Sequence, residues 1–151
     1  MPPVDPADPA LSAPFRPRRG RRTATALAIA QGVLFVLIAA LMQGLGVVDR
    51  IGMVAFGAAL GAFLWRFAQL SVVVDERGLT VRNLAGHRRL AWAEVVTVRF
   101  GGGAPWVSLD LADGEPLAVM AIQRADGEFG EAEARRLATL VALHSRTARD
   151  D

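Results

Sequence analysis

Val72-Val73-Val74-Asp75-Glu76-Arg77-Gly78-Leu79-Thr80-Val81-Arg82-Asn83 reads as strand, turn, strand. The β-branched run that begins at Leu70 suits a half-buried strand, and Asp75-Glu76-Arg77-Gly78 ends it with turn chemistry, glycine last. Residues 79–84 then return in largely alternating order.

The same period continues downstream. Ala85-Gly86 makes a turn, and His87-Arg88-Arg89-Leu90-Ala91-Trp92 follows as a third strand. Residues 94–100 alternate Val96 and Val98 against Thr97 and Arg99, then stop at Gly101-Gly102-Gly103. Residues 106–111 alternate Val107, Leu109 and Leu111 against Ser108 and Asp110. Asp113-Gly114 is a strong hairpin signal. A sixth strand over 115–122 tolerates Pro116 because it falls at the start. After Asp126-Gly127 the period becomes helical, with Ala134, Leu137, Ala138 and Val141 on one face and Glu131, Arg135 and Arg136 largely off it. Residues 70–147 thus predict six antiparallel strands in meander order, closed by an amphipathic helix. Residues 148–151 are expected to be a disordered end.

Upstream lie two apolar stretches, 23–43 and 51–69, separated by seven residues. The first meets no charge until Asp49, and the second none until Arg66. About twenty helical residues at ~1.5 Å each span ~30 Å, a bilayer's hydrocarbon core. Neither stretch has the polar face of a soluble helix, and two in series argue against a cleaved signal peptide. The expectation is a transmembrane α-hairpin over 23–69, with spans at about 24–43 and 51–68. Arg16, Arg18, Arg19, Arg21 and Arg22 precede it, and Arg66, Arg77 and Arg82 mark its far end. The turn holds only Arg50, beside Asp49. The positive-inside rule then puts both termini in the cytoplasm, in a multi-pass protein of the cell inner (plasma) membrane. Within the hairpin, Gly57 and Gly61 form a GxxxG flanked by Ala58 and Ala62. That small-residue strip would pack the two spans together, with homodimerisation as the alternative.

Residues 1–22 form a tail rich in proline and arginine that cannot bury enough surface to fold, and it is expected to be disordered. All 17 basic residues of the 151 are arginine and cysteine is absent, so disulfides and thiolate metal sites are excluded. The whole chain carries a net charge of +2, yet residues 69–151 hold ten arginines against twelve carboxylates. Nucleic-acid binding by that part is therefore disfavoured.

The opening segment, taken with Leu90-Ala91-Trp92-Ala93-Glu94-Val95, resembles the membrane-anchored bacterial PH-domain proteins of actinobacteria. That group is named after a low-molecular-weight protein antigen of mycobacteria. In that family two membrane spans precede a DERG-like turn and a V-R strand. A W-x-x-[IV] then opens the next strand, and an L-x-D-G hairpin follows, matched here by Leu111-Ala112-Asp113-Gly114. The likeness covers about residues 24–122. It implies a PH-like antiparallel β barrel or sandwich, with two roughly orthogonal sheets capped by a C-terminal helix. A full PH fold has seven strands, one more than the alternation yields.

No catalytic constellation is present. His87 and His144 lack metal-ligand spacing, the serines lack a nucleophile elbow, and the carboxylates sit mostly at turns. Gly101-Gly102-Gly103 leads into Ala104-Pro105-Trp106 and not into a helix, so it is no phosphate loop. The chain is expected not to be an enzyme and to need no cofactor and no metal. Trp92 and Trp106 read first as sheet residues. Arg82, Arg88, Arg89 and Arg99 would hold a phosphorylated headgroup if adjacent strands put them on one face. Against that, the first hairpin is short and net negative, unlike the basic hairpin of phosphoinositide-binding PH domains. The expected function is a membrane-anchored, non-catalytic protein-binding or scaffolding module whose partner the sequence does not name. Recognition of anionic lipid headgroups at the inner membrane face is the alternative.

Overall fold

The alternation along residues 71–123 becomes two three-stranded antiparallel sheets. β1 (Ser71–Asp75), β2 (Gly78–Asn83) and β3 (Gly86–Ala91) form the first; β4 (Val95–Arg99), β5 (Trp106–Leu111) and β6 (Pro116–Gln123) form the second. A 3-10 turn at Trp92–Glu94 links them, and the long helix α4 (Glu128–Asp150) closes the domain. This computed structural model describes residues 9–150, with side chains from Leu11 to Ser145. Its two compact units are Arg19–Gln69 and the assembly of Leu70–Asp151 with the segment up to Arg18.

Each sheet turns its alternate residues inward. Val72, Leu79, Val81 and Leu90 of the first face the core, as do Val107, Leu109, Leu111 and Val119 of the second, and Leu137, Leu140 and Val141 of α4 cover them. The pairing Leu79↔Leu90 and Val74↔Leu79 fixes the register, since a slip of one residue would turn this set to solvent. Gly78 is required where it stands. A Cβ there would lie 1.9 Å from the Leu90 carbonyl oxygen. The two sheets remain a sandwich and do not close into a barrel.

All six expected strands are present, and the seventh of a full PH fold is not among the described strands. Phe15 stands at the outer edge of β1 instead. The Phe15 N–H donates to the Val72 carbonyl (2.9 Å), and the Val72 N–H donates to the Phe15 carbonyl (3.0 Å). The ring is fully buried, with the Arg136 guanidinium 3.7 Å from its centroid. Burying one phenylalanine is worth roughly 2–3 kcal/mol, which offsets part of the cost of ordering the chain around it.

The tail therefore differs from expectation where it is described; residues 1–8 lie outside the described residues. α1 (Pro9–Ser12) is a single helical turn, and α2 begins at Arg18, well before the first apolar residue. Four arginines in the opening turns of a helix oppose its dipole. The buried Asp126 supplies a carboxylate there, accepting the Arg18 N–H at 3.1 Å, while the Arg18 guanidinium lies 4.0 Å from the Phe129 ring. At the other end, residues 148–150 continue α4 where a disordered end was expected, and Asp151 lies outside the described residues.

In the second unit, α2 (Arg18–Leu41) and α3 (Val47–Ala68) are both long and apolar enough to cross a membrane. Only 11% and 6% of their most apolar windows are buried, unlike the core helices of a soluble protein. Gly57 faces Phe35, whose Cβ a side chain at 57 would meet at 2.8 Å. Gly61 lies beside Gln31, and the Gln31 amide donates to the Gly57 carbonyl at 3.0 Å. From the first turn of α3 the Arg50 guanidinium donates to the carbonyls of Ala39, Ala40 and Met42, satisfying the end of α2. The Gly46 N–H donates to Asp49 (3.1 Å), which opens α3.

Candidate functional site: a β-sheet edge beside the closing helix

Four arginines were candidates for a headgroup site, and the strand register disperses them. Arg82 pairs with His87 across β2 and β3, on the outer face of the first sheet. Arg89 shares that face. Arg88, the next residue along β3, shares the inward parity of Leu90 and reaches Asp113 at 3.1 Å. Arg89 bonds Asp75 (2.7 Å), and Arg99, on β4 of the other sheet, bonds Asp110 (2.6 Å). Three of the four positive charges thus meet a carboxylate in exposed pairs, each worth at most about 1 kcal/mol. Arg82 alone of the four has no ion-pair partner among the described residues.

Asp113 does double duty in the β5–β6 turn. It accepts the Glu115 N–H at 3.0 Å as well as the Arg88 bond. The backbone bond first, and Arg88 second, hold its carboxyl below the usual value of 3.8. The β1–β2 turn is built likewise, with Asp75 accepting the N–H groups of Arg77 (2.9 Å) and Gly78 (3.0 Å). That hairpin is tight, and its carboxylate is already engaged by its own backbone.

Two other residues organise the domain. Asn83, at the end of β2, donates to the Ala118 carbonyl (2.6 Å) and accepts the Met120 N–H (3.2 Å), pinning the first sheet to β6. Trp92 lies in the 3-10 turn, not in a strand, and its indole N–H donates to the Asp75 carbonyl at 3.2 Å. His144 stacks on that indole, while its Nδ1 donates to the Leu140 carbonyl at 2.9 Å. Trp106 is half-buried at the start of β5.

A concave feature lies between β4 and α4. β4 is the outer strand of its sheet, bonded on one side to β5 alone. Val98, Phe100, Ala134 and Ala138 line a hollow of about 520 Å³, with Arg124, Glu131 and Arg135 at its rim. Phe100 and Gly101 also line a second hollow of about 540 Å³, toward Ala104 and Ser108. The loop between them, Gly101-Gly102-Gly103, has positive φ at all three residues (154°, 61° and 86°). No group of three or more His, Asp or Glu that could hold a metal occurs among the described residues.

The geometry is that of a PH-like sandwich, a class of small binding domains. Residues 69–139 match the family model of the bacterial PH domain, so this folded segment is similar to that family. Relatives are mycobacterial. Uncharacterized proteins of Mycobacterium tuberculosis and Mycobacterium bovis are 40% identical over 96 residues, which is 64% of this chain. The chain spans 62% of the length of those relatives. Low molecular weight protein antigen 6 of Mycobacterium tuberculosis is 39% identical over 54 residues, covering 36% of this chain and 47% of that one. No solved structure matches.

The sequence reading missed Asn83, Phe15 and Arg124. Asn83 stands just ahead of a turn, where asparagine is ordinarily spent on the turn itself. Phe15 is a lone aromatic in a proline-rich run, and one bridge residue has no period to detect.

Proposed function

We propose that this protein is a non-catalytic, protein-binding or scaffolding module anchored in the inner membrane by the α2–α3 hairpin, with its PH-like domain and both termini in the cytoplasm. The carrying observation is the Phe15–Val72 bridge. Two residues on either side of the hairpin are hydrogen-bonded within one water-exposed domain, so a hairpin that enters the bilayer leaves by the same face. Arg16 and the four arginines in the opening turns of α2 then select the cytoplasmic side. An anchored domain needs no lipid affinity to stay at the membrane, and three of its four candidate arginines are occupied by carboxylates. Protein docking is the use this surface favours. The small-residue strip at Gly57 and Gly61 packs the spans within one chain in this reading, with self-association as its other use.

The alternative, recognition of anionic headgroups, draws on Arg82. Arg82 pairs with Ser71, three residues after the end of α3. The two readings separate in full-length protein held in nanodiscs of neutral or anionic lipid, by hydrogen exchange along β2 and β3. Equal protection in both lipids is expected. Protection that appears only with anionic lipid, fades with salt and is abolished by Arg82→Gln would transfer the function to headgroup binding.

A further inference from the structure

We propose that the trough between β4 and α4 takes an extended, acidic peptide segment, which adds a strand to the free edge of β4 and sets a carboxylate against Arg124. The inference rests on the protein-docking reading above and names the chemistry of the partner.

Three observations converge on this occupant. The outer edge of β4 carries backbone donors and acceptors that meet no backbone partner among the described residues. Such an edge is a template for another extended chain, whereas a helix has already spent its own backbone groups. Among the described residues its local protection is the irregularity between Val95 and Thr97, within which Val96 is 63% exposed.

The floor beside that edge is apolar. Val98 and Phe100 come from the strand side and Ala134 and Ala138 from the helix. The two alanines leave the hollow open, and its size suits one or two apolar side chains of a strand whose alternate residues point the same way. The neighbouring hollow past Phe100 and Gly101 continues the path along the chain.

The rim sets the charge. The Arg124 guanidinium lies 6.0 Å from the Phe100 ring centroid and pairs with no carboxylate among the described residues. The neighbouring Arg135–Glu131 pair is long, at 3.7 Å, and both side chains are mostly exposed, so it yields readily. A wholly apolar strand would leave Arg124 unmatched, and a free anion would leave the floor uncovered. An extended segment with one acidic residue satisfies edge, floor and rim together.

The test uses full-length protein in neutral-lipid nanodiscs and two pools of fluorescent heptapeptides of alternating apolar and polar residues. The pools are identical except for glutamate or glutamine at the centre, and a third version of the glutamate pool is N-methylated at alternate backbone positions. The glutamate pool is expected to bind about tenfold more tightly than the glutamine pool. That difference should vanish in Arg124→Gln, whose side chain is exposed and outside the core, and the N-methylated pool should not bind. Equal binding of the first two pools overturns the role of Arg124, and undiminished binding of the N-methylated pool overturns strand addition. Photo-crosslinking from position 96 in intact membranes separates the two levels of the argument. Protein adducts that persist when neither pool binds would overturn the acidic strand and leave protein docking standing. Adducts to lipid alone would overturn both.

Discussion

Trp92 and His144 stack with 4.0 Å between ring centroids and 11° between planes, joining the 3-10 turn after β3 to the last described turns of α4. The indole is 7% exposed and its N–H reaches back to the Asp75 carbonyl, so one side chain ties the helix to the first β-turn. Replacing His144 by alanine removes the stacked partner and is expected to cost about 1 kcal/mol. Trp92→Phe should cost more, because it also leaves the Asp75 carbonyl short of a donor. Denaturant titration of the full chain in micelles, followed by circular dichroism, measures both. An unchanged midpoint in His144→Ala would show the stack to be energetically idle.

Phe15→Ala opens a cavity beside Val72 and beneath the Arg136 guanidinium. The expected loss is about 3–5 kcal/mol, a large part of a small domain's stability. Loss of protection should centre on β1 in hydrogen exchange. Residues 69–151 expressed without the segment ahead of the hairpin should show the same weakness. A shortened chain as stable as the full one would reduce the bridge to a surface contact.

A side chain at 57 would drive into Phe35, because the obstructing atom is the Cβ, which cannot swing aside. Gly57→Leu is therefore expected to separate α2 from α3 and to break the Gln31 bond to the Gly57 carbonyl. At position 61 the obstacle is the tip of Gln31, a flexible group, so Gly61→Ala should be much milder. Cysteine pairs placed across the hairpin would report both through crosslinking yield. Equal yields in Gly57→Leu and the parent would exclude packing within one chain as the use of this strip.

Asp113 gives a pH dependence of known sign. Its carboxyl titrates below the usual 3.8 in the folded chain, so folding favours the ionised form. The stabilisation is present in full above the unfolded value and is lost as pH falls through the lower, folded value. Carbon-detected NMR should find Asp113 titrating below a free aspartate, and less so in Arg88→Ala. The shift should survive partly in that variant, because the Glu115 N–H remains.

Much of this fold was legible because burial imposes a period. Val107, Leu109 and Leu111 alternate with Ser108 and Asp110 in the sequence as they do in β5, and the helical spacing of Leu137 and Val141 persists in α4. Strand ends moved by a residue or so, and Trp92 left its expected strand for a 3-10 turn because Glu94 reaches back to the Ala91 N–H at 2.6 Å. The candidate site was less legible. Arg88 and Arg89 are consecutive in a strand, so their side chains had to part to opposite faces, and period alone carried that signal. Nothing comparable marked Arg124 and Phe100, 24 positions apart in the sequence, as neighbours across a trough. Their proximity follows from where α4 lands on the sandwich, which is a property of the whole core.

The Phe15–Val72 bridge also sets when the domain can finish folding. Phe15 leaves the ribosome first, but its hydrogen-bonding partner is made only after every residue of the hairpin. Through that interval the aromatic ring has no strand to join, and the domain lacks its edge. Folding can finish only after the two apolar helices have been translated, so the domain matures last, and a chain stalled within the hairpin would leave Phe15 without the strand it is buried against.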